Sequence, residues 1–168
     1  MPGFVAYGSL MHPDELATQC RGTSHVRVRV CGFRRSFSQE PAWRTGTGAE
    51  RGVLTVQPSP GDWFNGILVS GVDAGVIRSL DHRERGYSRE AVPTTRIETY
   101  DPEDSGQITA AVVVYAGLPD RYNSELLPNS TYLELCTDAA ARWGSDFARD
   151  FRLTTFVRGA TLDEFMRR

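Results

Sequence analysis

Phe4-Val5-Ala6-Tyr7-Gly8-Ser9-Leu10 sets a short apolar run directly against a glycine and a serine, and His12-Pro13-Asp14-Glu15 follows after Met11. The apolar run predicts a strand and Gly8 a tight turn. The proline with two acids behind it predicts the first turn of a helix. A strand that turns at glycine into a helix leaves backbone N–H groups converging on one small concavity. Such a nest suits an anion, a carboxylate as well as a phosphate. By themselves the same residues also fit a plain turn in which Ser9 caps the helix.

The rest of the chain narrows the field. With 168 residues, 40% hydrophobic and 24% charged, it reads as one soluble globular domain spanning 1–168 with a single core. A net charge of −2 gives no reason to expect nucleic acid or an acidic membrane surface as a partner. All 19 basic residues are arginine, which removes Schiff-base chemistry and the P-loop lysine. Cys20, Cys31 and Cys136 are odd in number and irregularly spaced, so they read as small buried residues in a reducing cytoplasm. His12, His25 and His82 have no ligand spacing, and no metal site is expected. The opening residues lack the basic region and apolar run of a signal peptide, and no stretch reaches membrane-spanning length.

The first half reads mostly as strands. Residues 25–30 alternate, with Val26, Val28 and Val30 on one face and Arg27 and Arg29 on the other. Runs 52–57 and 64–70 flank Pro58-Ser59-Pro60-Gly61-Asp62 and predict a hairpin. Residues 39–51 read as a loop. Residues 74–82 carry Val76, Ile77 and Leu80 at helical spacing behind Asp73 as N-cap. Strands are expected over 91–99 and 108–116, the latter buried on both faces around 110–115. Tyr132, Leu135, Cys136, Ala139, Ala140 and Trp143 predict a helix facing the core. Gly144 closes it, and Ser145-Asp146 cap a second helix carrying Phe147 and Phe151. Residues 152–168 form a tail with no diagnostic pattern. The sum is an α+β domain, a small barrel with helices attached.

Leu80-Asp81-His82-Arg83-Glu84-Arg85-Gly86-Tyr87 is the second cluster that can carry chemistry. A carboxylate at a helix C-terminus meets an unfavourable dipole, and partial burial adds to it; both push Glu84 toward the range of a neutral-pH acid/base. The arginines beside it act the other way, and such a charge run also fits a solvated helix end. Among other acids, Glu90 reads as solvent-facing and Glu15 as dipole-stabilised in a first helical turn. Glu40 sits in the loop.

Taken together and in order, the Tyr7-Gly8-Ser9-Leu10 turn and the Glu84-containing cluster resemble the γ-glutamylcyclotransferase superfamily. Gly32-Phe33-Arg34-Arg35 is similar to the segment after that family's second strand, notably in its ChaC-like branch. Pro128, Tyr132, Ala140 and Gly144 resemble its later helix, with Asn129 and Ala139 departing from the usual Ser and Gly. The resemblance implies a small mixed β-barrel of about five to seven strands with flanking helices. It also implies a pocket between the Tyr-Gly-Ser-Leu turn and the glutamate. The implied reaction converts a small γ-glutamyl compound to 5-oxoproline and a free amine without a cofactor or metal. Glu84 would be the acid/base. Gly8, Ser9 and Leu10 would hold the substrate carboxylate, and Tyr7, Tyr87 and Tyr132 would line the pocket or bond to Glu84. Arg34, Arg35, Trp43 and the 39–51 loop are candidates for the rim that selects the leaving group. The chain would act as a monomer or homodimer on glutathione, a γ-glutamyl amino acid or amine, or a specialised metabolite. A catalytically silent ligand-binding domain of the same fold is the alternative.

Overall fold

Two long antiparallel strands form the spine of the molecule, β2 (Ser24–Gln39) and β3 (Val53–Ser70). The structure, a computed structural model, describes residues 3–42, 48–108 and 111–168. Val26, Val28 and Val30 point into the core as the alternation requires. The expected hairpin at 58–62 is not a reversal. Residues 53–57 and 64–70 both pair with β2 in one direction, and residues 59–62 bulge out opposite the single Gly32. Gly32 and Gly61 take positive φ (88° and 89°) there, and Ser59 and Arg34 both bind Asp62. The turn chemistry was read correctly and its consequence was not. β2 is long enough to template both runs, so the turn becomes an excursion within one strand.

β1 (Gly3–Ala6) pairs antiparallel with β3 and parallel with β6 (Val112–Gly117), and β4 (Tyr87–Val92) completes that side. On the other side β2 meets β5 (Ile97–Thr99) along its first half. Its second half meets β7 (Thr155–Val157), which leads to β8 (Ala160–Thr161). The result is a mixed eight-stranded sheet of order β4-β6-β1-β3-β2-β7-β8 with β5 beside β2. The α+β class stands, but the expected barrel does not close: β4 and β8 end the sheet and do not pair with each other among the described residues. The single strand expected over 91–99 breaks at Pro93, which has no N–H for a ladder. The chain then crosses from β6 to the edge of β2. Of the predicted 108–116 strand, residues 109 and 110 lie outside the described residues. Val112 and Val114 are buried and Val113 only partly.

The helices pack around this sheet. α1 (Pro13–Gln19) starts at Pro13, with His12 as its N-cap. α2 (Ala74–Arg83) is capped by Asp73 as expected. α3 (Ser130–Ala141) buries Cys136, Ala139 and Ala140, but Leu135, expected inward, is 51% exposed. α4 (Ser145–Leu153) has Gly144 (φ 110°) as its N-cap with no side-chain capping bond, so Ser145 and Asp146, expected to cap it, are instead its first two residues; it buries Phe147 and Phe151, and α5 is Leu162–Met166. Cys20 and Cys136 are buried, whereas Cys31 is exposed. The tail is part of the sheet, not an appendage. No helix among the described residues is long and apolar enough to cross a membrane.

One contact fixes where β1 lies. A Cβ at Gly66 would sit 2.6 Å from the Ala6 carbonyl oxygen and 2.6 Å from Val5 Cγ1. Gly66→Ala must therefore push β1 off β3. It is expected to lower stability by about 1–3 kcal/mol despite the lower chain entropy of alanine. A urea midpoint equal to that of the parent protein would show that β1 yields freely.

Candidate functional site

β1 ends at Ala6, and Tyr7 and Gly8 carry the chain into a single 3-10 turn, Ser9–Met11. The turn's own bonds use the N–H groups of Met11 (to Gly8 O, 3.0 Å) and His12 (to Ser9 O, 3.2 Å). The first N–H groups of such a turn have no acceptor within it, which leaves Gly8, Ser9 and Leu10 amides at its head. The Ser9 amide already faces Cys136. Gly8 is closely covered: a Cβ would meet Tyr132 Oη at 3.1 Å and Leu54 Cδ1 at 3.3 Å, so one of these side chains would have to give by a few tenths of an ångström.

The second landmark arrives from the end of α2. Glu84 is its C-cap, donating its N–H to Leu80 O (2.8 Å) and accepting from the Tyr87 N–H (3.1 Å) across Gly86, whose φ is 86°. This turn aims the Glu84 side chain inward while Arg85 stays exposed. Tyr7, Gly8, Ser9, Leu10, Glu84, Tyr87 and Tyr132 all line one inner chamber of about 50 Å3. The expected acid/base and the six expected substrate-binding residues are thus in one place. Ser9, Glu84, Tyr87 and Tyr132 also line an outer cavity of about 810 Å3, so the chamber opens into a roomier vestibule.

The phenols are held rather than loose. Tyr7 donates its hydroxyl to Tyr115 O, and Tyr87 donates to Leu54 O at 2.6 Å. Tyr115 donates its own hydroxyl to Asp81 Oδ1 at 2.8 Å. Tyr132 bonds to Cys136, whose thiol burial pushes up to about 12. Burial likewise pushes the phenols of Tyr7, Tyr87 and Tyr132 well above their ordinary value, so all are neutral at physiological pH. Glu84 is the titratable group of the chamber that can exchange a proton there. Its pKa is raised by burial, partly offset by Arg83.

The other acids are occupied. Glu15 pairs with Arg83 (3.2 Å), and Glu90 is exposed beside Ser88. Glu40 accepts from Arg51 and Asn123, and Arg51 holds it below the ordinary carboxylate value. The rim expectations need correction. Arg34 pairs with Asp62 and stacks on Phe156, and Arg35 is buried in the core; neither lines either cavity. Trp43 lies outside the described residues, while Pro41 and Ala42 of the 39–51 segment do line the vestibule. The sequence reading missed Tyr115, Leu54 and Cys136, which sit on otherwise apolar runs. It also missed His12, Leu135 and Asp138, where only proximity in the fold carries the signal.

A raised carboxyl pKa has a definite sign in stability. The contribution of Glu84 is fully present below its unfolded value, near 4.5, and is lost as pH rises through the folded one. Glu84→Gln, always neutral, should therefore raise the Tm at pH 7 above that of the parent protein. The difference should fade toward pH 4. A Tm at pH 7 no higher than the parent's would mean that the carboxylate is well solvated.

No protein-family model matches the sequence, and no curated protein matches it. Solved structures do match the fold. A γ-glutamyl cyclotransferase aligns over 90% of this chain and 86% of its own at 15% identity, with a TM-score of 0.63. A yeast γ-glutamyl cyclotransferase specific to glutathione aligns over 83% and 86% at 18% identity, with a TM-score of 0.62. An uncharacterized human protein, loc79017, aligns over 99% and 98% at 16% identity, with a TM-score of 0.58. The fold of this chain is the γ-glutamylcyclotransferase-like fold.

Proposed function

We propose that the protein is a cofactor-independent γ-glutamylcyclotransferase-like enzyme, releasing 5-oxoproline and an amine from a small γ-glutamyl compound. The observation that carries this reading is the meeting of Glu84 with the Gly8–Ser9–Leu10 turn in one chamber. A γ-glutamyl group brings its own nucleophile, the α-amine, and its own electrophile, the γ-carbonyl carbon. The protein's first task is to hold it in a ring-closing conformer, which in well-oriented intramolecular reactions supplies up to about 7–11 kcal/mol. The turn amides that Cys136 does not take, those of Gly8 and Leu10, hold the α-carboxylate at one end.

Glu84 then relays two protons in turn. As carboxylate it takes a proton from the α-ammonium, whose ordinary pKa is about 7.7–8.0, and the freed amine attacks the γ-carbon. The new C–N bond closes the five-membered ring. Glu84, now a carboxylic acid, gives that proton to the amide nitrogen as the old C–N bond breaks, and the carboxylate so restored takes the second proton from the ring nitrogen and passes it to the departing amine, which leaves as an ammonium. Burial of Glu84 narrows the pKa gap to the ammonium, which favours both transfers. The departing amine lies in the vestibule, bordered by Asp14, Asp138, Arg85 and Leu135.

The test is to incubate the protein with glutathione, γ-glutamyl amino acids and γ-glutamyl amines and to assay 5-oxoproline by mass spectrometry. Product from at least one is expected. No product from any, with binding of γ-glutamyl compounds retained, would make this a silent ligand-binding domain.

A further inference from the structure

Arg35 is wholly buried, and its guanidinium is held only by neutral groups. Nε donates to Thr155 Oγ1 (2.7 Å), Nη1 to the carbonyls of Tyr7 (3.2 Å) and Asn65, and Nη2 to Asn65 Oδ1 (2.7 Å), Thr154 Oγ1 (3.1 Å) and Phe151 O (3.4 Å). It stacks on Phe151 at 4.2 Å. Arg35 takes part in none of the ion pairs among the described residues. Its donors are satisfied, but a full positive charge is left without a counter-charge in a low-dielectric core, where charges are ordinarily paired. Burial pushes it down only to about 9, so it is charged at neutral pH.

The position of that charge decides its use. The Tyr7 carbonyl and the Gly8 N–H belong to one planar trans peptide and point in opposite directions. By drawing the Tyr7 oxygen into the core, Arg35 turns the Gly8 N–H outward, on the segment that lines the inner chamber. A cation at the oxygen end also polarises the peptide and makes that N–H a stronger donor. We propose that Arg35 is a positioning residue for the substrate carboxylate, acting through the Tyr7–Gly8 peptide, and that the bound α-carboxylate is its missing counter-charge. This rests on the reading of the chamber as a γ-glutamyl site. Thr154 and Thr155 thereby tie the C-terminal strand to ligand binding.

The test compares 5-oxoproline with 2-pyrrolidinone, the same lactam without its carboxylate. Arg35→Met should weaken 5-oxoproline binding by about 10–100-fold while leaving 2-pyrrolidinone within about twofold. Asn65→Asp keeps Arg35 but gives it an internal counter-charge, and should shift the same ratio in the same direction. Equal losses for the two ligands in these variants, or an unchanged ratio, would reduce Arg35 to a structural role. Should a variant fail to fold, the unsubstituted protein still decides by 15N NMR. The Gly8 amide and Arg35 Nε–H resonances should move together on adding 5-oxoproline and stay in place with 2-pyrrolidinone. Absence of that paired response overturns the proposal. A wild-type protein that makes no 5-oxoproline from any substrate, yet shows the paired response, would refute the enzymatic reading and retain Arg35 as the anion's partner.

Discussion

Glu84→Gln is expected to lower kcat for 5-oxoproline formation by about 10²–10⁴-fold while KM changes little. The amide keeps the shape and the capping bonds of the residue, which run through its backbone, so the turn at Gly86 should persist. What it removes is the proton carrier. No other group lining the chamber replaces it, because the phenols of Tyr7, Tyr87 and Tyr132 are raised by burial and engaged elsewhere. On the proposed mechanism, kcat/KM of the parent protein should fall as pH drops through the raised pKa of Glu84, and that acidic limb should be absent from whatever rate remains in the variant. Steady-state kinetics from pH 5 to 9 check both points. A variant with parental kcat would remove Glu84 from the mechanism. The same substitution is expected to raise the Tm at neutral pH, so activity and stability should move in opposite directions.

Asn65→Ala should be the most damaging single truncation in the core outside the chamber. Asn65 is fully buried; it receives Arg35 Nη2 and donates to Phe147 O (2.9 Å) and the Tyr100 hydroxyl (3.2 Å). Removing it leaves a buried guanidinium short of an acceptor and a helix carbonyl short of a donor. About 3–5 kcal/mol is the expected cost, against about 1 for an ordinary hydrogen bond. For a domain of this length that is roughly 6–20 °C in Tm. Calorimetry measures it, and a loss below about 1 kcal/mol would mean that water replaces the amide.

The sequence carried the two chamber landmarks because each is local. An apolar run stopped by Gly8, and an acid at a helix end stopped by Gly86, are visible within ten residues. Arg35 was not legible, and the reason lies in the bulge at Gly32. Before it, even-numbered residues Val26, Val28 and Val30 face the core; after it, odd-numbered Phe33, Arg35 and Phe37 do. A shift of parity inside one strand puts into the core an arginine expected among the candidates for the pocket rim. The turn at 58–62 failed for a related reason: proline, glycine and aspartate mark a bend, and only the length of the partner strand says whether the chain reverses. Leu135 has helical spacing for the core, yet it borders the vestibule, which no periodicity reveals. Strands as short as β7 and β8 have no period to read at all.

Arg35 also couples an early segment of the chain to a much later one. The guanidinium that binds the Tyr7 carbonyl also binds Thr154 and Thr155, so the full set of bonds waits through the synthesis of all the residues between them. At about 5–20 residues per second, that interval is roughly 7–30 s. Once residue 70 has been made, the nascent polypeptide carries the β2–β3 pair with the β2 edge that takes β7 still unfilled. On the proposed role of Arg35, the anion-binding turn is completed only when β7 joins that edge.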